Sequence, residues 1–200
     1  MMSRLRATPR APAGTRARLT RGLLRVIRAP ILRSRAVRWA LELALVVGVY
    51  FAVSLYQTRH AIGVDAAFPD VPLRDVRGEP VDLVGTLRQP TMVHVWATWC
   101  AVCRQEFGAI EALAAAPPSD AAVVTIVADG EDAARVRGVM EEHGIGYPVL
   151  LADAEAMSRV GVSAFPTTYY LRRDGTVSSV TVGMSLRWAM WLRLWWAAQG

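Results

Sequence analysis

Two cysteines, Cys100 and Cys103, are the residues whose type and spacing could do chemistry, and the 200-residue chain has no others. They follow an apolar, β-rich run at residues 91–96, which predicts a buried strand. Apolar residues at helical spacing after Cys100 predict a helix, so the pair sits at a strand-to-helix turn. Unpaired N–H groups at a helix start favour a thiolate, the form of cysteine that attacks a disulfide.

This placement predicts thiol–disulfide exchange, because cysteines three residues apart on a helix share one face and can form a small disulfide. We expect Cys100 to attack and the more buried Cys103 to resolve the mixed disulfide. Inert structural cysteines and half of a zinc site are the alternatives. A zinc site needs four ligands, and the three histidines have no ligand spacing. The redox interpretation needs neither a metal nor a small-molecule cofactor.

Residues 96–103, with the sequence WATWCAVC, resemble the active-site segment of thioredoxin-like proteins. Residues 103–107, CRQEF, are similar more narrowly to the TlpA/ResA branch of membrane-anchored thiol–disulfide oxidoreductases. Within that branch, the layout resembles the suppressor-of-copper-sensitivity D type. The resemblance covers about residues 65–200. It implies an α/β thioredoxin-like sandwich with a mixed central sheet and an N-terminal β-hairpin.

The same resemblance implies further site residues. In this branch a Glu three residues after the second Cys lies near the active site, and Glu106 occupies that position. In thioredoxin-like proteins a cis proline faces the cysteine pair, and Pro166 matches it. Phe165 would then present its backbone to a client peptide by strand-like pairing. The substrate-binding set implied is Trp99, Phe165, Pro166 and Thr167.

His94 and Glu106 are the two candidates for moving the proton of Cys103. His94 stands six residues before Cys100, where thioredoxin carries a buried Asp, and facing the helix it could exchange a proton near neutral pH. Its alternative role is a core histidine that only fills space and hydrogen-bonds. Glu106 shares the helix face of Cys103 and has the family precedent, so it is the stronger candidate. Its alternative is a solvated carboxylate.

The rest of the domain predicts strands alternating with helices, then a hairpin and a last helix, which is typical of an α/β sandwich. A turn at Arg77-Gly78 splits the first segment, residues 68–83, into a hairpin. The last helix, residues 186–198, carries Trp188, Trp191 and Trp195 as one stripe, which we expect to pack on the sheet. A position at a membrane surface is the alternative for these tryptophans.

Charge is distributed unevenly, and all 23 basic residues are Arg. Residues 1–38 contain 11 Arg and no acidic residue, whereas residues 59–200 contain 12 Arg and 16 acidic residues, a net charge of −4. The high isoelectric point therefore belongs to the tail, and the folded domain gives no support to nucleic-acid binding. We expect the tail to be mostly disordered, with attraction to anionic lipid as a second possibility.

Residues 39–58 contain one charged residue, Glu42, and predict a single transmembrane helix with Trp39 and Tyr56 at its ends. The Arg tail predicts a cytoplasmic N-terminus, which places the C-terminal domain outside the inner (cytoplasmic) membrane, in the periplasm. A cleaved signal peptide, with a site at residues 52–54, is the alternative. The predicted organisation is a tail at 1–38, this helix, a linker at 59–67 and a thioredoxin-like domain at 68–200.

These expectations define a membrane-anchored, extracytoplasmic protein thiol–disulfide oxidoreductase. Its partners would be protein dithiol or disulfide clients and a membrane or periplasmic redox partner. A copper-binding role for the same cysteines is an alternative, because thiolates suit Cu(I). A peroxidase of the peroxiredoxin-like type ranks low, since that pattern needs Pro at 93 and Thr at 97, where this chain has Val93 and Ala97. The direction of electron flow stays open.

Overall fold

The computed structural model describes residues 35–58 and 61–200. The chain divides into two units, Met1–Ala52 and Val53–Gly200. Helix α1, Arg35–Thr58, coincides with the apolar stretch for which the sequence predicts a helix. Among the described residues, no helix combines the length and apolarity needed to cross a membrane. The membrane-spanning role predicted for 39–58 stays a prediction without support from the fold, and most of the predicted tail lies outside the described residues.

A mixed seven-stranded sheet forms the centre of the second unit, in the order β2-β1-β5-β4-β3-β6-β7. Strands β3, β4 and β5 run parallel, and the other neighbouring pairs are antiparallel. This mixed sheet and its N-terminal hairpin, β1 with β2, confirm the predicted sandwich. The strand bounds are β1 Leu73–Asp75, β2 Pro80–Val81, β3 Thr91–Trp96, β4 Ala122–Val127, β5 Val149–Leu151, β6 Thr167–Leu171 and β7 Val177–Val182.

Helices cover both faces of this sheet. Asp132 and Asp153 begin two of them, because each carboxylate accepts a hydrogen bond from a backbone N–H three residues later. Gly144 and Gly161 end the same two helices at φ of 64° and 70°, a conformation that glycine adopts without strain. The helix bounds are α2 Leu83–Thr86, α3 Ala101–Arg104, α4 Phe107–Ala115, α5 Ala133–His143, α6 Ala154–Val160 and α7 Arg187–Ala197.

Strand β3 is buried on both faces, which explains its nearly continuous apolar sequence. Met92 and Trp96 join the core beneath α4, α5 and α7, and Val93 and Val95 join the core that includes α6. Because strand residues alternate, His94 points to the same face as Met92 and Trp96. This is the face that carries the cysteine pair.

The tryptophan stripe of α7 does not pack on the sheet, so that expectation was wrong. The face of α7 that reaches the core consists of Met190, Leu194 and Ala197, spaced at i, i+4 and i+7. Trp188 and Trp191 are exposed instead. Two apolar stripes compete in this short sequence, and the smaller side chains fit the space above β3, β6 and β7.

Part of the predicted linker contacts the domain. The amide of Asp65 donates a hydrogen bond to the carbonyl of Val177 over 2.8 Å, and Ala67 forms an isolated antiparallel bridge with Thr176. Asp65 also forms an ion pair with Arg172 at 2.9 Å. These contacts tie residues 65–67 to the start of β7 and to the turn before it.

Candidate active site

A disulfide joins Cys100 and Cys103 at the start of α3. Cys100 precedes the first helical residue with extended backbone, and its sulfur accepts a hydrogen bond from the Cys103 amide over 3.2 Å. A donor aimed at this sulfur stabilises the thiolate that reduction would release. Cys103 is fully buried and Cys100 is slightly exposed, the relative burial that the sequence predicted. Their separate roles in exchange stay predictions.

A polar brace holds the loop before the cysteines. Asp129, in the turn after β4, accepts hydrogen bonds from the Thr98 amide, at 2.9 Å, and from the Thr98 hydroxyl. The guanidinium of Arg104 donates to the carbonyl of Thr98 over 2.8 Å. Sequence reasoning missed this brace, because Asp129 is 31 residues from Thr98 and its Asp-Gly context indicates only a turn.

The peptide bond between Phe165 and Pro166 is cis, as the resemblance implied. The Phe165 ring meets Trp99 edge to face, with centroids 5.5 Å apart, so an aromatic contact joins the proline loop to the cysteine loop. Pro166 and Thr167 are buried, and the Thr167 hydroxyl donates to the carbonyl of Ala164 over 2.8 Å. The structure therefore joins the loop of Phe165, Pro166 and Thr167 to the cysteine loop through Trp99, although the binding role of these four residues stays a prediction.

The active-site helix is interrupted between Arg104 and Phe107, where the sequence predicted one continuous helix. The amides of Gln105 and Glu106 donate to carbonyls three residues back, over 3.2 and 3.0 Å, instead of four. The family resemblance implies a proline two residues after Glu106, where this chain has Gly108, so the break does not require proline. It places Glu106 directly before Phe107, the first residue of α4.

The Glu106 side chain is buried, with only 2% of the residue exposed. Its Oε1 accepts a hydrogen bond from the amide of Ser185 over 2.6 Å, and its Oε2 has no partner among the described residues. Burial raises the pKa of Glu106 to about 7, although the Ser185 amide acts in the opposite direction. A solvated carboxylate, the alternative considered for this residue, does not describe that environment.

Two tyrosines share the electrostatic environment of Glu106 and were not singled out from the sequence. Burial raises the pKa of Tyr147, and the negative charges of Glu111 and Glu106 raise it further. Burial likewise raises the pKa of Tyr170, with Arg193 opposing the shift and Glu106 adding to it. Both tyrosines belong to the core beneath α4 and α7. No spacing rule connects them to Cys103, so only the fold reveals them.

His94 is fully buried on β3. Its Nδ1 is 2.9 Å from the hydroxyl of Thr168, and its Nε2 has no partner in the described part of the chain. Burial lowers the pKa of His94 to about 3, so the imidazole is neutral at ordinary pH. This environment matches the alternative considered for His94, a core histidine that fills space and hydrogen-bonds, better than it matches an acid–base group.

The apolar residues next to the two cysteines in the chain are exposed. Trp99 is 61% exposed, and Val102, between the two cysteines, is also exposed. Met184 precedes the residue that holds Glu106 and is 57% exposed. The amide of Gly183 donates to the carbonyl of Pro166 over 2.8 Å, so this loop adjoins the proline loop as well. In residues 35–58 and 61–200, no cluster of three or more His, Cys, Asp or Glu side chains could hold a metal ion.

A disulfide at the start of a helix, a cis proline and a mixed sheet together define a thioredoxin-like protein. The chain belongs to the AhpC/TSA family, which matches residues 64–180. Two solved structures share its fold. A thiol:disulfide interchange protein of Chlorobium tepidum TLS is 25% identical, with a TM-score of 0.57, and 70% of this chain covers 100% of it. StoA of Bacillus subtilis is 23% identical, with a TM-score of 0.53, and the match covers 64% of this chain and 98% of that one.

Two relatives from Bacillus subtilis strain 168 match over most of their length. Thioredoxin-like protein YneN is 28% identical over 153 residues, covering 73% of this chain and 90% of that protein. Thiol-disulfide oxidoreductase ResA is 24% identical over 150 residues, covering 74% of this chain and 84% of that protein. The thiol–disulfide oxidoreductase class and the TlpA/ResA type of relative are thereby confirmed. The narrower likeness to the suppressor-of-copper-sensitivity D type stays a prediction.

Proposed function

We propose that this protein exchanges disulfides with protein clients through Cys100 and Cys103, while anchored to the inner membrane with its domain outside the cytoplasm. One observation carries the exchange proposal: the Cys100–Cys103 disulfide lies beside the exposed Trp99, and Glu106, a buried carboxyl whose pKa is raised to about 7, follows Cys103 by three residues. No other pair of thiols is available, because the chain has two cysteines.

When the client is reduced, the two cysteines act one after the other. The Cys100 thiolate attacks one sulfur of the client disulfide, breaking that bond and releasing the other client sulfur as a thiolate. Glu106 accepts the proton of Cys103, and the resulting Cys103 thiolate attacks the sulfur of Cys100. The mixed disulfide breaks, the client leaves with two electrons, and the Cys100–Cys103 disulfide remains. Client oxidation is the same sequence in reverse.

The amide of Cys103, which donates to the Cys100 sulfur, supports Cys100 as the attacking group. Client peptides would lie along Phe165 and Pro166 and against Trp99, because this side of the site combines exposed aromatic surface with a strand end. Glu106 is a better acid–base group than His94, since the pKa of His94, about 3, leaves it unable to take a proton near neutral pH.

Trapping tests the exchange mechanism. The Cys103→Ser variant should accumulate mixed disulfides with client proteins, because its Cys100 can attack but nothing can resolve the adduct. Cys100→Ser is the matched control and should trap none. Adducts that form equally well with either variant, or with neither, would contradict the assigned roles. A redox titration of the Cys100–Cys103 pair against glutathione would then decide the direction of electron flow.

The anchor proposal depends on the sequence of residues 1–58. A strongly basic segment before a nearly uncharged stretch is the charge pattern that retains an N-terminus in the cytoplasm. Alkaline phosphatase fused after residue 64 should therefore be active in a Gram-negative host. A fusion that is expressed normally and is inactive would overturn the orientation, without touching the exchange mechanism. Carbonate extraction separates an anchored chain from a peripheral one.

A further inference from the structure

Helix α7 has apolar residues on the side that faces away from the core. At 3.6 residues per turn, its outward arc of about 140° contains only apolar side chains. These are Trp188, Trp191, Leu192, Trp195 and Trp196. All but Trp195 are exposed, with Trp188 at 66% and Trp196 at 65%. Monomeric soluble surfaces rarely present so many large apolar groups together, so the arc indicates a binding surface.

Two arginines flank this arc and no acidic residue accompanies them. Arg187 lies on one edge of the arc and Arg193 on the other, and both side chains are in the exposed part of the helix. The helix therefore carries a local charge of +2 in a domain whose net charge is −4. Trp on the outward face with Arg along the edges is the pattern of helices that lie in a lipid interface.

The apolar surface extends beyond the helix. A groove of about 340 Å³ runs between α4 and α7, lined by Leu113, Trp188 and Trp191 with Arg187 at its edge. Leu186, directly before α7, is also exposed. The tryptophans, the groove and Arg187 thus form one continuous surface, which is apolar in the groove and positively charged at its edge.

We propose that the outer face of α7 docks on an anionic lipid surface. The tryptophan rings would enter the headgroup boundary, and Arg187 and Arg193 would pair with lipid phosphates. A second copy of this chain fits less well. An antiparallel two-fold pairing through this face would bring both Arg193 side chains to one edge, and α7 has no acidic residue to neutralise them. The proposal does not require the N-terminal anchor.

Site-directed spin labelling of the full chain tests this docking. The label is attached to Leu192→Cys at the centre of the outward arc, in a Cys100→Ser/Cys103→Ser background, and vesicles contain equal parts of phosphatidylcholine and phosphatidylglycerol. A label on Ser158→Cys is the matched control, because α6 belongs to the core on the opposite sheet face. With vesicles, the Leu192 label should gain collisions with oxygen and lose collisions with a water-soluble nickel complex. The Ser158 label should not change.

Charge removal then tests the role of the arginines. Arg187→Gln/Arg193→Gln should lower the ratio of lipid-exposed to water-exposed label about 30-fold at low salt, since each arginine near an anionic surface contributes about fivefold. High salt should produce a similar loss in the parent protein. The control, Arg77→Gln/Arg135→Gln, removes the same charge from exposed positions elsewhere and should leave the ratio nearly unchanged. A thermal melt checks that each variant is folded.

Three outcomes would overturn the proposal. The Leu192 label could stay in water in the presence of the vesicles. It could become shielded without vesicles, with dipolar broadening between labels, which would make α7 an interface between copies. It could enter pure phosphatidylcholine equally well, which would remove the role of anionic lipid. Should a labelled variant fail to fold, tryptophan fluorescence of the unlabelled chain replaces the spin label. Brominated lipid should quench the parent more than it quenches Trp188→Ser/Trp191→Ser, and equal quenching would contradict docking through α7.

Discussion

Burial acts in opposite directions on the pKa values of Glu106 and His94, which both lie on the cysteine side of the sheet. Glu106, at the helix interruption, and His94, on β3, are both buried, and each leaves one polar atom without a partner among the described residues. Burial favours the neutral form of each group, so it raises the pKa of the acid and lowers the pKa of the base. Only the acid is moved towards the pH at which disulfide exchange operates.

The two environments differ in one further respect. Glu106 accepts a hydrogen bond from a backbone amide, a donor that stabilises the carboxylate and keeps the pKa from rising beyond about 7. His94 Nδ1 faces the hydroxyl of Thr168, which can accept a hydrogen bond from a protonated Nδ1 or donate one to an unprotonated Nδ1, so it pairs with either tautomer of the neutral ring. The helix break therefore holds a carboxyl whose pKa lies near neutrality, whereas the strand holds an imidazole that stays neutral at ordinary pH.

The largest expected effect is on the rate. Glu106→Gln should slow turnover by about 10–1000-fold, the usual range for a lost general base, because Cys103 then has no acceptor for its proton. In the parent, the rate of the resolving step should rise with pH and level off above about 7, and the variant should lack this rise. Insulin or model-peptide reduction across the pH range checks both, with Glu142→Gln as the control for an exposed carboxylate. A Glu106→Gln variant with the rates of the parent would contradict the role of Glu106 as the proton acceptor.

A second effect concerns the free energy of unfolding. The native state binds the Glu106 proton more tightly than the unfolded state, so stability should fall as pH rises from about 4.5 to about 7. Glu106→Gln removes this loss. Its stability relative to the parent should therefore increase by about 1–3 kcal/mol between those limits. Urea unfolding at each end of the window measures it, and a pH-independent difference would show that Glu106 is not buried as described.

His94→Asn should affect stability more than turnover, the reverse of Glu106→Gln. Loss of the hydrogen bond to Thr168 should cost about 1–3 kcal/mol of stability, whereas turnover should fall by less than about tenfold. The lowered pKa of His94 makes the parent less stable as pH falls from about 6.5 towards 3, since the unfolded state binds the proton first. The variant should lack that dependence in acid unfolding curves. A large loss of activity with unchanged melting would reverse the assignment and make His94 the base.

The smallest effect tests whether a buried, unpartnered atom is sufficient to mark a functional residue. The hydroxyl of Tyr147 also lacks a partner among the described residues, but burial raises its pKa away from neutrality. Tyr147→Phe should leave turnover unchanged and either preserve stability or raise it by up to about 1 kcal/mol. Thermal melts with parallel activity assays check this. A slowed variant would assign Tyr147 a place in proton transfer.

Sequence reasoning predicted the parts of the molecule that depend on local pattern. The strand at 91–96 and the hairpin near Gly78 follow from short motifs, and the cis bond before Pro166 follows from the family resemblance. It was wrong about the tryptophan stripe of α7, because helical periodicity alone cannot choose between two apolar stripes. The brace between Asp129 and Thr98 and the amide of Ser185 escaped it, since those contacts join residues 31 and 79 positions apart.

The contact between Ser185 and Glu106 links the pKa of Glu106 to a loop that adjoins the proposed client site. The loop that supplies this amide also donates to the carbonyl of Pro166, where a client peptide is proposed to lie. A client that strengthens the Ser185 hydrogen bond would lower the pKa of Glu106. By reciprocity, the deprotonated enzyme would then bind that client more tightly by the same factor. Client affinity measured below and above pH 7 would thus report the protonation state of Glu106.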